Sequence, residues 1–275
     1  MDKHIIEYDD IIPIVNQDET SIVFQRHANY DKQQGILLDP DKTIEVATSY
    51  FTNMLSGLSE AEKNNTFVLF IASNTSTTNG LLRSFETTEI TRKVAQVIFA
   101  ENGIPETNII NINPQANLNQ ATKKTSILAE PKMFTDNTGY LNYLTQKYGG
   151  INKDFWIAFE SDIESEYRLA IGAEGPDEIV SRGLNYLEAI KRYATYFHNK
   201  KPNSRLIVWS GTHYDLISPF VKQVILGLDK EEEVKVKNNA GICIMIDAKG
   251  RLITNISGVT IDLGELNNLP QHRHF

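Results

Sequence analysis

Five successive apolar residues, Phe67-Val68-Leu69-Phe70-Ile71, leave no polar side to turn toward water. The segment therefore reads as a strand covered on both faces, the arrangement of a parallel sheet between layers of helix. Two further short apolar runs, Ile22-Val23-Phe24 and Leu206-Ile207-Val208, read as strands of the same kind, the latter extending to Ser210, and Asn108–Ile112 is a third candidate beside them. Between them the apolar spacing becomes helical. Thr43–Leu58 presents Ile44, Ala47, Tyr50, Phe51 and Leu55 on one face, Leu81–Phe99 and Asp177–Phe197 are long enough for further helices, and another is expected around Pro219–Leu228. A hairpin is expected to pair Ile242–Ile246 with Leu252–Ile256 across Asp247-Ala248-Lys249-Gly250. The alternation predicts an α/β fold, a three-layer sandwich with a mainly parallel central sheet and no internal repeat. From Pro114 to Pro176 the periodicity weakens, and residues 114–176 are expected to form an inserted lid that governs substrate selectivity.

Arg26-His27 follows the first apolar run, and His213 follows Leu206-Ile207-Val208 within Trp209-Ser210-Gly211-Thr212-His213. An α/β sheet brings such strand ends together at its carboxyl edge, where these folds place ligands. The residue types suit a phosphoryl group. A neutral imidazole nitrogen can attack phosphorus, arginine presents a planar fork of donors to phosphoryl oxygens, and a second histidine adds a hydrogen bond or positive charge. No metal or cofactor is required by this chemistry. Taken singly, each residue has a structural alternative: His27 a buried, hydrogen-bonded histidine, His213 a loop histidine, and Arg83 a surface arginine near a helix start. A cation in a first helical turn opposes the helix dipole, however, and that placement makes sense where an anion binds.

In the order of its motifs the chain resembles the histidine phosphatase superfamily, also called the phosphoglycerate-mutase-like group. The resemblance rests on Arg26-His27-Ala28 for the family's Arg-His-Gly, on Leu82-Arg83-Ser84-Phe85-Glu86-Thr87 for its second-arginine segment, and on Ser210-Gly211-Thr212-His213 for its second-histidine segment. The matched segments cover about a third of the chain. Ala28 departs from the usual glycine, and a side chain there makes positive φ costly. Gln33 stands where many members carry asparagine; it and Asn29 are the candidate substrate ligands of this loop, with ordinary polar loop positions as the alternative.

The resemblance implies one histidine-phosphatase-like domain over residues 1–275 that hydrolyses phosphomonoesters through a phosphohistidine on His27. Arg26, Arg83 and His213 would stabilise the transferring group. In the family a carboxylate protonates the leaving oxygen, commonly a glutamate in a Leu-x-Glu setting, and Leu128-Ala129-Glu130 fits that order. Asp215 is the alternative, because another branch uses an aspartate directly after the second histidine; here Tyr214 holds that place and Asp215 comes one residue later. Glu160 is a third candidate. A phosphomutase is the nearest alternative function, differing in whether the intermediate is held for return to substrate, and a catalytically silent phospho-ligand binding or scaffolding protein is another, which Ala28 and the open choice of acid permit.

Length and charge agree with this reading. The chain has 275 residues, 41% of them hydrophobic, enough to bury a substantial core. A formal charge of −8 disfavours nucleic-acid and anionic-membrane partners, which need a positive field, and leaves a small phosphorylated substrate or phosphopeptide as the expected partner. Oligomeric state is not legible. Cys243 is the only cysteine and lies in an apolar run, so it reads as a buried strand residue rather than a reactive thiol. The acidic amino terminus and the lack of a membrane-length apolar stretch predict a cytoplasmic protein. His272-Arg273-His274 reads as a terminal tail rather than a metal site, and Glu231-Glu232-Glu233 as a solvated connection.

Overall fold

A computed structural model of the chain describes residues 4–12, 16–31, 33–75, 81–111, 128, 139–266 and 269. Among these residues, seven strands form one sheet with the order β11-β10-β9-β2-β7-β5-β6, where β2 is Thr20–Arg26, β5 Thr66–Ala72, β6 Ile109–Asn111, β7 Arg205–Thr212, β9 Gly241–Ile246, β10 Arg251–Ile256 and β11 Val259–Glu265. Strands β2, β7, β5 and β6 are mutually parallel, while β9, β10 and β11 follow as an antiparallel meander. Because β10 runs with β2, five of the seven strands share one direction. This is the mainly parallel α/β architecture expected from the apolar runs. Two small pairs flank it: β1 (His4–Ile6) parallel to β8 (Val234–Val236), and β3 (Tyr30–Asp31) antiparallel to β4 (Ile36–Leu37).

The central strands are apolar on both sides because each face meets a separate core. Ile22 and Phe24, Phe67 and Leu69, and Leu206 and Val208 point into one cluster. Val23, Val68, Phe70, Ile207 and Trp209 point into the other. This alternation follows from the two-residue period of a strand. The second face is covered by α1 (Pro40–Leu55) and α3 (Arg83–Glu101), with the short α2 (Glu60–Asn64) between them in the chain. The first is covered by α7 (Pro176–Lys200) and α8 (Tyr214–Phe220), joined there by α4 (Tyr140–Lys147) and α5 (Lys153–Glu160). The three-layer sandwich is thus built from strand periodicity outward.

Local chemistry starts these helices. Asp39 caps α1, accepting from Lys42 N at 3.1 Å, and Pro40 occupies the first position, where its missing N–H costs nothing. Pro176 opens α7 in the same way, and the Glu178 carboxylate accepts from Gly175 N at 3.0 Å. The α1 face differs slightly from expectation: Ile44 is 43% exposed, and Val46 and Met54 are buried in its place. The expected helix near Pro219 begins earlier, at Tyr214 directly after β7, with Pro219 inside it and a π-helical turn, Val221–Ile225, behind. Proline lacks the N–H that a regular helix uses at that position, and π turns occur where the regular ladder is interrupted.

Within 114–176, residues 139–176 are largely helical, not irregular. They contain α4, α5 and α6 (Ser165–Ala170), punctuated by Gly139, Gly149, Gly150 and Gly172 at positive φ. Each helix has eight residues or fewer, too short for a repeated apolar period to emerge from sequence. Of residues 112–138 only Leu128 is described, so the lid expectation there lies largely outside the described residues. Leu128 is buried, and its carbonyl accepts from Thr212 Oγ1 at 2.8 Å.

Gly211 determines how closely α3 approaches the sheet. A Cβ placed on it would lie 2.0 Å from Thr88 Oγ1 and 2.8 Å from the Ser84 carbonyl oxygen. Only glycine admits the first turns of α3 against β7. Gly211→Ala is therefore expected to lower stability by about 1–3 kcal/mol, the usual cost of overpacking, measured as a reduced urea midpoint. An unchanged midpoint would mean that α3 can move away at no cost.

Candidate active site

The parallel register places the histidines together. Arg26 pairs with Thr212, and His27 N donates to the Thr212 carbonyl at 3.1 Å. The rings of His27 and His213, one residue beyond each strand end, lie with centroids 5.2 Å apart, edge to face. Both are buried. On the far side of β7, β5 ends beside them, with Ser73 N donating to the Gly211 carbonyl at 2.9 Å. The Ser73 hydroxyl lies 2.8 Å from His213 Nε2, and Ser84 Oγ, at the start of α3, lies 3.2 Å from the same nitrogen while donating to the Thr212 carbonyl.

His27 is held by its own backbone. Its Nδ1 lies 2.7 Å from the Ala28 carbonyl oxygen. A carbonyl oxygen only accepts, so Nδ1 carries the proton, and in the neutral ring Nε2 keeps its lone pair. Burial pushes the imidazole well below its ordinary value of 6.5; His213, Arg83 and Arg26 push in the same direction, and the Ala28 carbonyl opposes them. Each influence except the carbonyl's favours the neutral, nucleophilic ring. Ala28 N donates to Thr87 Oγ1 at 3.0 Å, and that hydroxyl donates to the Arg83 carbonyl at 2.8 Å. The His27 loop is thereby tied to the first turn of α3. Ala28 is fully buried and is absent from the residues at positive φ, so alanine is accommodated here without the strain of a left-handed backbone.

The two arginines approach from opposite sides. Arg26 Nη1 donates to the Val236 carbonyl at 2.5 Å, with its guanidinium 5.2 Å from the centre of the Tyr214 ring. Burial lowers its pKa, whereas neighbouring Tyr214 and Asp215 raise it and Arg83 lowers it. Arg83, the first residue of α3, lies 4.5 Å from the centre of the Tyr30 ring, whose centroid is 6.2 Å from that of His27. Tyr30 thus links Arg83 to His27, and Arg83 lowers the pKa of both His27 and Arg26. Two guanidiniums and two imidazoles, one of them with its lone pair on Nε2, are the donor types that match the oxygens of a tetrahedral anion.

The remaining expected residues fall in different places. Asp215 is buried in the first turn of α8 beside Arg26. Glu130 lies outside the described residues, as does His272-Arg273-His274. Glu160 is buried behind the site, accepting from Ser218 Oγ at 2.8 Å and from Lys222 Nζ, and burial raises its pKa against the pull of Lys222. It anchors a core ion pair and is already committed to those donors. Asn29 is exposed, with its Oδ1 turned back to accept from Tyr30 N, and Gln33 is exposed in the turn between β3 and β4. Neither is drawn into the cluster. Tyr30, Ser73, Ser84, Thr87 and Tyr214 also join this cluster, and their signal in the sequence is adjacency alone, since Ser84 follows Arg83 and Tyr214 follows His213.

Cys243 is buried in β9 with Sγ 3.5 Å from Ser21 Oγ, as a strand residue should be. Among the described residues no group of histidine, cysteine and carboxylate side chains is arranged to hold a metal ion. Nor is any described helix long and apolar enough to cross a membrane.

No family model matches the chain, and no curated protein matches it in sequence. Among solved structures, it is similar to a phosphoglycerate mutase from Bacillus anthracis at 13% identity and a TM-score of 0.49, covering 92% of this chain and 96% of that one. The Bacillus stearothermophilus protein YhfR is 12% identical with a TM-score of 0.48, over 87% and 96% of the two chains. A mycobacterial glucosyl-3-phosphoglycerate phosphatase is 11% identical with a TM-score of 0.45, over 86% and 97%.

A buried neutral histidine links stability to pH. Between the depressed folded value of His27 and its unfolded value near 6.5, the unfolded chain binds a proton that the folded chain does not, so stability falls as pH is lowered through this window. Urea midpoints taken from about pH 7 to about pH 5 are expected to fall more steeply for the wild type than for His27→Asn. Parallel slopes would mean that His27 titrates normally.

Proposed function

We propose that this chain is a histidine phosphatase that hydrolyses phosphomonoesters, without a metal, through a phosphohistidine on His27. The observation that carries the proposal is the 2.7 Å bond from His27 Nδ1 to the Ala28 carbonyl, which leaves the lone pair on Nε2, in a ring 5.2 Å from that of His213 and under the electrostatic influence of Arg83 and Arg26. Nε2 attacks phosphorus and forms the N–P bond as the P–O ester bond breaks. The leaving oxygen takes the electron pair of that bond and a proton from a carboxylic acid, and departs as an alcohol. Water then attacks phosphorus and gives its proton to the resulting carboxylate; the N–P electron pair returns to Nε2, and inorganic phosphate leaves. Through both steps the arginine forks and His213 balance charge on the phosphoryl oxygens.

The proton donor is proposed to be Glu130. Asp215 is the alternative, buried in the first turn of α8 beside Arg26. The substrate is a small phosphomonoester or a phosphopeptide, and the protein acts in the cytoplasm.

Incubation with a phosphomonoester in the presence of a chelator, followed by an alkaline quench, is expected to trap a phosphohistidine on wild-type enzyme and none on His27→Ala. Unchanged turnover in His27→Ala would overturn the mechanism. Tight anion binding with no turnover would assign a binding protein instead, and dependence on a bisphosphate primer a mutase. For the acid, Glu130→Gln is expected to slow alkyl phosphates far more than nitrophenyl phosphate, whose leaving group departs without a proton. The same selectivity seen in Asp215→Asn and not in Glu130→Gln would transfer the role to Asp215.

A further inference from the structure

The two arginines of the site share a feature that chain order does not suggest. Each lies over a tyrosine ring: Arg26 over Tyr214 at 5.2 Å and Arg83 over Tyr30 at 4.5 Å. Both tyrosines are half-buried and both come from segments adjoining a histidine, Tyr30 three residues after His27 and Tyr214 one residue after His213. An aromatic face attracts a guanidinium through its quadrupole while adding no negative charge. Such a seat fixes the plane of the fork and leaves its charge for an incoming anion.

We infer that Tyr214 and Tyr30 are positioning residues, each setting the orientation of its own arginine toward the phosphoryl group; the inference rests on the phosphoryl-site reading above. Besides Arg26, two groups hold Tyr214. Its hydroxyl donates to the Val234 carbonyl at 2.9 Å, and its ring lies 4.9 Å from that of Trp156 on α5. Arg26 donates to the Val236 carbonyl, two residues along the same strand, β8. Alternate residues of a strand direct their backbone groups to opposite edges. Lys237 N accordingly reaches the Ile6 carbonyl on β1 at 3.1 Å, while Val234 and Val236 offer theirs to Tyr214 and Arg26. One strand thus sets the spacing of both the seat and the side chain seated on it. Tyr30 is fixed by the β3–β4 pair, where it lies opposite Leu37, with Leu38 N donating to the Asn29 carbonyl at 2.9 Å.

The test uses vanadate affinity, which reads the anion site without requiring turnover. Tyr214→Leu and Tyr30→Leu are each expected to weaken vanadate binding by about threefold to tenfold. In combination the effects should segregate. Tyr214→Leu should have little further effect in an Arg26→Gln background but its full effect in an Arg83→Gln background, and Tyr30→Leu should show the reverse. Tyr214→Phe, which keeps the ring packed against Trp156 but releases it from Val234, should give a smaller loss that also vanishes with Arg26→Gln, and it serves where the leucine variant does not fold. Losses of the same size in both arginine backgrounds would overturn the inference, as would unaltered affinity in folded single variants. Failure of the wild-type chain to bind vanadate would instead overturn the phosphoryl-site reading, and the inference with it.

Discussion

Strand β2 pairs with β7 in parallel so that Arg26 lies opposite Thr212, and one step further His27 N closes the pairing on the Thr212 carbonyl. A shift of this register by one residue would turn every side chain of β2 to the opposite face and carry His27 away from His213. The two cores prevent that shift. Ile22 and Phe24 are buried on one face, Val23 on the other, and all three are almost wholly inaccessible to water. The hydrophobic fit that holds the sheet together therefore also fixes the distance between two imidazoles at its edge.

The same edge concentrates two arginines and two histidines, with one buried carboxyl group, Asp215, beside Arg26. Arg26 and Arg83 depress His27, and burial depresses both His27 and Arg26. Like charges gathered away from water are costly unless an anion joins them or one member stays neutral. The cluster does the second by keeping His27 unprotonated, and its geometry is suited to the first. The hydroxyl chain around it is compact. Ser73 and Ser84 address His213 Nε2, Thr87 ties Ala28 to α3, and Gly211 leaves room for that helix to arrive. A core ion pair behind it, Glu160 with Lys222, packs α5 against the turn that follows α8. Such a pair contributes little net stability against its desolvation cost, but removing one partner alone would strand a buried charge.

Much of this was legible in the sequence because burial on both faces leaves an unmistakable run of apolar residues. Phe67–Ile71, Ile22–Phe24 and Leu206–Val208 lie in the central strands, and the residues just past the ends of two of them, His27 and His213, meet at one edge of the sheet. What escaped is equally physical. Strands β1, β8 and β11 are short or partly exposed and carry no such run. Pro219 resembles a helix boundary yet lies inside α8, and α4 to α6 are too brief to show a period. Glu160 resembled a candidate acid because its partner, Lys222, is 62 residues away in sequence. Tyr30 and Tyr214 carried no pattern; only the fold sets their rings beneath two arginines.

The protonation of one ring decides what this edge can do, and nitrogen-15 NMR of imidazole-labelled protein near neutral pH, with His27 assigned by comparison with His27→Asn, reads it directly. The prediction is a neutral His27 with the proton on Nδ1 and Nε2 bare, persisting below the ordinary histidine value of 6.5. A proton on Nε2, or a His27 that titrates as an ordinary imidazolium, would contradict it.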